Sequence, residues 1–354
     1  MVDWTRSMQQ TFEYYIVDPG TWTDIRRINT VTSSSISRDS SADTLGSASI
    51  NMTESIGECY IRIYLITIQN GIREKHPLGT FLIQTPSYSF DGKVNNVSVD
   101  AYTPLLELKE NQPPLGYFAQ KGLNIVSSAL TILREQVRAP IVATSDTKTL
   151  HNHFVATTDD TWITFVRDLL ADANMSLGLD EMSRVILTRK QDVASLQPVW
   201  TFDDSNSSIL YPELDIEHDL YGIPNIVEVV YSNGTSTYYG IAINDDPNSP
   251  TSTVNRGRKI TYRITDPGLP GISSETQIQQ YAKQVLKSMS TIEYTITYKH
   301  GYCPVRLGDC VRLNYKNAGL NGVKAQVIKQ DITCTPGCPV TEKAVFTNSL
   351  WGGI

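Results

Sequence analysis

Ser274–Met289 reads SETQIQQYAKQVLKSM, and Thr291–Tyr298, just beyond it, reads TIEYTITY. In the first stretch Ile278, Tyr281, Ala282, Val285, Leu286 and Met289 recur at steps of three and four. Ser274 with Gln277 three residues on is a capping-box signature, so the spacing predicts an amphipathic helix with one buried stripe. In the second, Ile292, Tyr294, Ile296 and Tyr298 alternate with Thr291, Glu293, Thr295 and Thr297, the period of a strand covered on one side. A turn is expected at His300-Gly301. Val305–Tyr315 (VRLGDCVRLNY) then reads as a hairpin about Gly308-Asp309, with Val311, Leu313 and Tyr315 alternating with polar neighbours. Val323, Ala325 and Val327 extend the alternation until Val327-Ile328 breaks its phase, which predicts a bulge at a barrel rim.

The same strand texture fills the first hundred residues. Thr11–Val17 ends in the turn Asp18-Pro19-Gly20, Ser47–Met52 alternates, and Cys59–Ile68 runs into Asn70-Gly71, a strong hairpin signal. Thr80–Ile83 and Val94–Tyr102 add two strands joined through Phe90-Asp91-Gly92-Lys93. Thr32–Ser35 and Arg38–Ser41 are too polar for a core and are expected to be surface loop. Beyond the linker signal Glu110–Pro114 the period changes. Leu123, Val126, Leu130, Leu133 and Val137 predict one helix, stopped by Pro140, and Trp162, Phe165, Val166, Leu169, Leu170 and Ala173 predict a second behind Asp159-Asp160. Met175–Leu179 and Arg184–Thr188 read as the hairpin these helices cover. Strands return at Pro224–Tyr231 and Thr237–Ala242 across Asn233-Gly234, and at Lys259–Thr265. Asn244–Arg258, aperiodic and polar, reads as an exposed, mobile loop. The expected architecture is α+β, mainly β: two antiparallel β-barrel domains, 1–110 and 199–354, flank a small α+β domain, 111–198, with one helix, 274–289, in the second barrel domain.

At 354 residues the chain is long for a single core and suits two or three domains. A net charge of −7 argues against a surface built to grip phosphates, although it suits one that nucleic acid must slide past. There is no apolar run of bilayer length and no signal-peptide core at the start, so the expected setting is a cytoplasm. Five cysteines, Cys59, Cys303, Cys310, Cys334 and Cys338, are too loosely spaced for paired zinc knuckles; reduced, partly buried thiols are the plainer reading, with a small oxidised loop Cys334–Cys338 left open.

No nucleophile elbow, phosphate loop, HExxH helix or dinucleotide-binding glycine pattern is present. His151 and His153 could share a strand face beside Asp146 or Asp159, but spacing fixes no third ligand. The acidic groups Asp203-Asp204, Glu213 with Asp215 and Glu217, and Asp180-Glu181 are the material for a glycosidase, yet spacing cannot show that two carboxyls face across a sugar. Trp4, Trp22 and Trp351 are read as exposed aromatics able to bind glycans or anchor a protein interface. The basic residues, Arg26-Arg27, Arg256, Arg258 and Lys259, form no aromatic-interleaved stripe. No catalytic, cofactor-binding or metal-binding residue is assigned.

With Leu78–Ile83 (LGTFLI) followed by Val97–Tyr102 (VSVDAY), the middle pair of helices, and Ser274–Met289 leading to Leu307–Leu313 (LGDCVRL), nearly the whole chain resembles the baseplate hub proteins of phage tails, the T-even-type hub and its relatives in prophages and contractile injection systems. The resemblance implies a non-enzymatic homotrimer in the virion tail tip. Two tube-like barrels per subunit would then pose as six, matching a sixfold tail tube or distal tail protein to a threefold central spike, among other baseplate proteins. DNA would pass through the lumen without sequence-specific binding, and no membrane insertion is implied. Two alternatives stand beside it: a tail-tip protein of a non-contractile phage serving host adsorption and carrying fibres or a lysin, and a carbohydrate-active, cell-wall degrading enzyme using the acidic pairs.

Overall fold

A computed structural model of the chain describes residues 2–351 apart from 91, 94, 206, 233–234, 266 and 268–273. By its internal contacts the chain divides into two units, 1–214 with 297–344 and 215–296 with 345–354.

The first unit opens with seven strands: β1 (Gln9–Val17), β2 (Asp24–Ile28), β3 (Val31–Asp39), β4 (Gly46–Met52), β5 (Tyr60–Gln69), β6 (Ile72–Phe90) and β7 (Asn95–Tyr102). They pair in the order β3-β4-β7-β6-β5-β1-β2. The β5–β6 hairpin turns on Asn70 and Gly71, both at positive φ (51° and 77°), as its Asn-Gly pair requires. Alternation sends Ile36, Ala48, Ile50, Met52, Ile61, Ile63, Val97 and Val99 into one core. Tyr14 on β1 and Ser34 on β3 lie far apart in strand order, yet their hydroxyls are 2.8 Å apart, so the sheet is rolled on itself. The polar stretch 32–41 expected as loop is mostly β3. Its backbone is satisfied on both edges, by β4 and by a strand from the chain's last third, and a fully paired ladder needs only Ser34 and Ile36 pointing inward to hold it.

Helix α1 (Leu106–Glu110), which carries no period long enough to read, follows, and then the α+β module: β8 (Phe118–Ala119), α2 (Ile125–Gln136), β9 (Phe154–Val155), α3 (Trp162–Asp172), β10 (Met175–Leu179) and β11 (Val185–Arg189). Asn124 caps α2, and Thr161 with Thr164 closes a capping box on α3. Apart from Leu123, which precedes α2 and is exposed, the expected stripes are buried together, Val126, Leu130 and Leu133 against Phe165, Val166 and Leu169, with Leu177 and Leu187 of the β10–β11 hairpin beneath them. Beyond come β12 (Trp200–Asp203) and β13 (Leu210–His218).

The second unit holds β14 (Ile226–Ser232), β15 (Thr237–Ile243), α4 (Thr253–Arg256), β16 (Thr261–Thr265) and α5 (Glu275–Met289). The turn Asn233-Gly234 and most of Pro267–Gly271 lie outside the described residues. The sheet order is β15-β14-β16, β16 being parallel to β14. Val227, Val229 and Ala242 meet Ile278, Ala282 and Leu286 of α5, the stripe its period predicts, and Trp351 joins them. The stretch 244–258 is not an exposed loop throughout: Asn244, Ser249, Thr251 and Ser252 are buried. The Asn244 amide donates to Ser249 Oγ (2.8 Å) and Thr251 Oγ1 (3.3 Å), and Ser252 caps α4, so polar side chains pair with one another where apolar ones would pack.

The last strands are β17 (Thr291–Gly301), β18 (Cys310–Asn314), β19 (Val323–Thr333) and β20 (Pro339–Ser349). β17 runs through His300-Gly301 without the expected turn, because His300 points inward and is fully buried. Leu307-Gly308 does turn, with Gly308 at φ 84°, but no strand precedes it; β18 pairs instead with β12 and β19. The phase break expected at Val327-Ile328 is present: Ala325 and Val327 are buried, then Gln330 and Ile332. At that point β19 leaves β18, its last partner being Gln326, and takes up β3 from Lys329 onward. The break is an exchange of neighbours.

Candidate functional site

The residues singled out by sequence do not converge on one centre. Cys303, Cys310, Cys334 and Cys338 are buried free thiols and Cys59 is half-buried. Burial pushes the Cys334 thiol up to about 11 and raises those of Cys303 and Cys338 as well, which favours the neutral thiol over the nucleophilic thiolate. His151 and His153 are exposed, and His153 Nδ1 accepts from the Lys121 amide at 3.2 Å. Asp146 is held by Arg189 and the Lys148 amide rather than beside the histidines. Among the described residues no group of three or more His, Cys, Asp or Glu side chains is placed to hold a metal ion.

The acidic pairs are engaged locally. Asp180 accepts from the Met182 and Arg184 amides, Glu181 pairs with Arg306, and Asp203 closes a turn on Ser205. Glu213, Asp215 and Glu217 lie exposed along β13. Trp22 and Trp351, read as exposed, are core residues, and Trp4 rests edge-on against His76 and Tyr302. A groove of about 630 Å³ beside α1 and α2 is lined by charged side chains. Two of them, Glu107 and Arg138, already bind each other, and Glu107 accepts from Tyr60.

The arrangement closest to a catalytic one was not legible in sequence, since its members come from three strands. Alternation on β17 sends Tyr298 and His300 inward to meet Gln330 of β19 and Glu342 of β20. Tyr298 Oη donates to Glu342 Oε1, and Gln330 Nε2 donates to Glu342 Oε2 at 2.6 Å. His300 Nε2 lies 3.4 Å from Glu342 Oε2, and Cys303 Sγ lies 4.0 Å from His300 Nδ1. A thiol, an imidazole and a carboxylate in line suggest nucleophilic catalysis. Two facts oppose it. His300 Nδ1 is 2.7 Å from the Gly301 carbonyl, so that nitrogen carries the proton and offers the thiol no base. Every member is also buried, Glu342 and His300 at 0% exposure, and the desolvated Tyr298 hydroxyl and Cys303 thiol are both raised well above their ordinary values. It is a closed polar cluster that ties three strands together.

A second joint fastens the rolled sheet to the α+β module. Arg62, 1% exposed, donates to Thr80 Oγ1 (2.8 Å), Asp24 (2.9 Å) and the Trp22 carbonyl (3.1 Å). Ser183, at φ 56° in the turn between β10 and β11, accepts from the Thr80 amide at 2.7 Å, and the Met182 carbonyl accepts from Trp22 Nε1 and Thr80 Oγ1. These two joints hold segments of the unit in fixed register.

No protein-family model and no curated protein matches this chain. Its fold is shared with solved phage tail proteins. It is similar to a tail protein from Neisseria meningitidis (12% identity, TM-score 0.63, 97% of this chain and 98% of that one). It is also similar to a 43 kDa prophage tail protein from Shewanella oneidensis (10% identity, TM-score 0.58, 95% and 98%). An Escherichia coli protein described as a component of the type VI secretion system, and as structurally similar to the T4 tail proteins gp27 and gp5, aligns at 9% identity and TM-score 0.50 over 93% of this chain and 78% of that one.

Proposed function

We propose that this chain is a structural, non-enzymatic subunit of a phage tail, acting as the hub of its baseplate. In this reading three copies join a sixfold tail tube to a threefold central spike and enclose part of the path taken by DNA. Residues 1–110 and 199–354 supply the two tube-like barrels and 111–198 the α+β module between them. The observation that carries the reading is the end-to-end fold likeness to tail proteins, over 97% of this chain and 98% of the Neisseria protein. The polar residues support it, since the conspicuous buried ones are consumed in joints. Mass measurement in solution together with electron microscopy of purified tails tests the proposal. A trimer in solution and label at the tail tip are expected. A monomer that releases reducing sugar from cell wall or polysaccharide, and loses that activity in Asp203→Asn or Glu213→Gln, would replace the hub with an enzyme.

A further inference from the structure

The rolled sheet of the first unit is dressed in two different ways on its outer side. Over β1, β2, β5 and the first half of β6 the outward side chains are charged, aromatic and paired. Glu13 binds Arg27 and Arg73 (both 2.9 Å), and Lys75 lies 3.2 Å from Asp24 and less than 4 Å above the rings of Tyr15 and Tyr64. Over β3, β4, β7 and the far half of β6 the outward residues are mostly small and uncharged, apart from Asp100 and from Tyr102, which packs against the core of the α+β module; the exposed aromatics of β6, Tyr88 and Phe90, stand on the opposite pleat across from Val97 and Asn95. Register sets Ser35 opposite Ser49 and Ser33 opposite Asn51, then Asn51 opposite Ser98, and Ser98 opposite Ser87. Ser37, Ser47, Ser89 and Asn96 extend the same face, and Thr333 of β19 continues it beyond Ser35.

The charges on this face are few and mostly negative. Asp100 stands opposite Ser49, Asp331 accepts from Ser37 Oγ at 2.6 Å, and Lys329 sits at the rim between Asp39 (3.7 Å) and Asp331 (3.8 Å). Arg38, on the same strand, is turned to the other side, where it donates to Gln330 and to the Leu78 carbonyl. Sheet faces that meet only water ordinarily mix Lys, Arg and Glu, and faces that meet protein carry aromatic or branched residues. Away from Tyr102, this one has neither character across four strands. It offers hydroxyls and amides that exchange hydrogen bonds freely with water, a carboxylate at Asp100 that repels phosphate, and as its cation Lys329, which is already shared between Asp39 and Asp331.

We infer that this face, built on Ser33, Ser35, Ser49, Asn51, Ser87 and Ser98, is a non-adhesive wall past which double-stranded nucleic acid moves. The inference rests on the tail reading above and adds to it which surface of the chain faces the duplex. A wall that let DNA pass could not carry lysines: each phosphate neutralised releases counterions and adds a salt-sensitive attraction, and several in a row would hold the duplex.

The test is the triple variant Ser35→Lys, Ser49→Lys and Ser98→Lys placed in the particle that carries the chain, beside the triple variant to Asp at the same positions. Both replace three small neutral side chains by charged ones, of opposite sign. Tails of normal length and morphology are expected from both. DNA release triggered in vitro should be slowed at least tenfold by the lysine variant, with partial recovery at high salt, and little changed by the aspartate variant. Equal release from all three particles would overturn the assignment of this face. So would loss of tail assembly in both variants, which would make it a protein interface. If the wild-type chain is absent from purified particles, the tail reading itself fails, and that result is distinct from the other two.

Discussion

Gly240 decides how closely α5 can approach its sheet. A Cβ built there would lie 2.7 Å from the Ile278 carbonyl oxygen and 2.8 Å from its carbon and Cγ2, so Gly240→Ala must push the helix back by several tenths of an ångström. Overpacking of this kind costs about 1–3 kcal/mol. The shift also lengthens the two bonds by which the Gln279 side chain receives the Ile241 amide (3.0 Å) and donates to its carbonyl (2.5 Å), worth about 0.5–1.5 kcal/mol each. Against this, alanine recovers about 0.5–1 kcal/mol of the entropy glycine loses in a strand. The net expectation is a loss of about 2–4 kcal/mol, concentrated in the second unit. Peptide-resolved hydrogen exchange reads it directly. Amides of 226–243 and 278–289 should exchange roughly 30- to 1000-fold faster, while those of 60–69 keep their wild-type rates. Unchanged protection in 226–243 would show that the helix is not held by this contact and would refute the packing account.

Glu342→Leu should lower stability by about 3–5 kcal/mol, because it strands the Tyr298 hydroxyl and the His300 ring and takes one of the two acceptors of the Gln330 amide in a fully buried site; a denaturation midpoint no lower than that of Glu213→Leu on exposed β13 would contradict this. Arg62→Lys should cost about 2–4 kcal/mol, since an ammonium cannot serve Thr80, Asp24 and the Trp22 carbonyl at once, and proteolysis within 180–184 should quicken; a variant as stable as wild type would remove the joint. Burial pushes Tyr14 and Tyr64 up to about 12 and Cys334 up to about 11. The unfolded chain therefore sheds the Cys334 proton first as pH rises past about 9 and the tyrosine protons past about 10, and the well-buried Cys334 and Tyr14 each lower stability by up to about 1.4 kcal/mol per pH unit until the folded value is reached, the partly solvated Tyr64 by less. Urea midpoints at pH 8, 9.5 and 11 should fall steadily, and a flat series would show that these groups are solvated in the folded state.

Elements with a strong period could be read from sequence, and elements held by pairing could not. The stripes of α2, α3 and α5 and the Asn70-Gly71 hairpin follow from local rules, because each buries or turns on its own residues. Strand β3 was unreadable because its stability comes from two neighbours distant in sequence, which let Ser33, Ser35 and Ser37 stand where propensity disfavours a core strand. The buried polar knot of Asn244, Ser249 and Thr251 failed for the converse reason: polarity signals a loop unless the partners can be seen. The cluster around Glu342 draws on three strands, and alternation on β17 is its one local trace. The phase break at Ile328 was visible, though its cause, a change of partner, needed coordinates.

That exchange of partners by β19 carries a kinetic consequence. Arg38 and Gln330, joined across the β3–β19 ladder, are separated by 292 residues. At ordinary translation speeds the ribosome delivers β19 roughly 15–60 s after β3. Through that interval one rim of the newborn sheet has nothing to pair with and can recruit a stranger's strand. Synthesis of this chain thus has a built-in waiting period, and chaperone demand should peak within it and end once Val323–Thr333 has emerged from the ribosome.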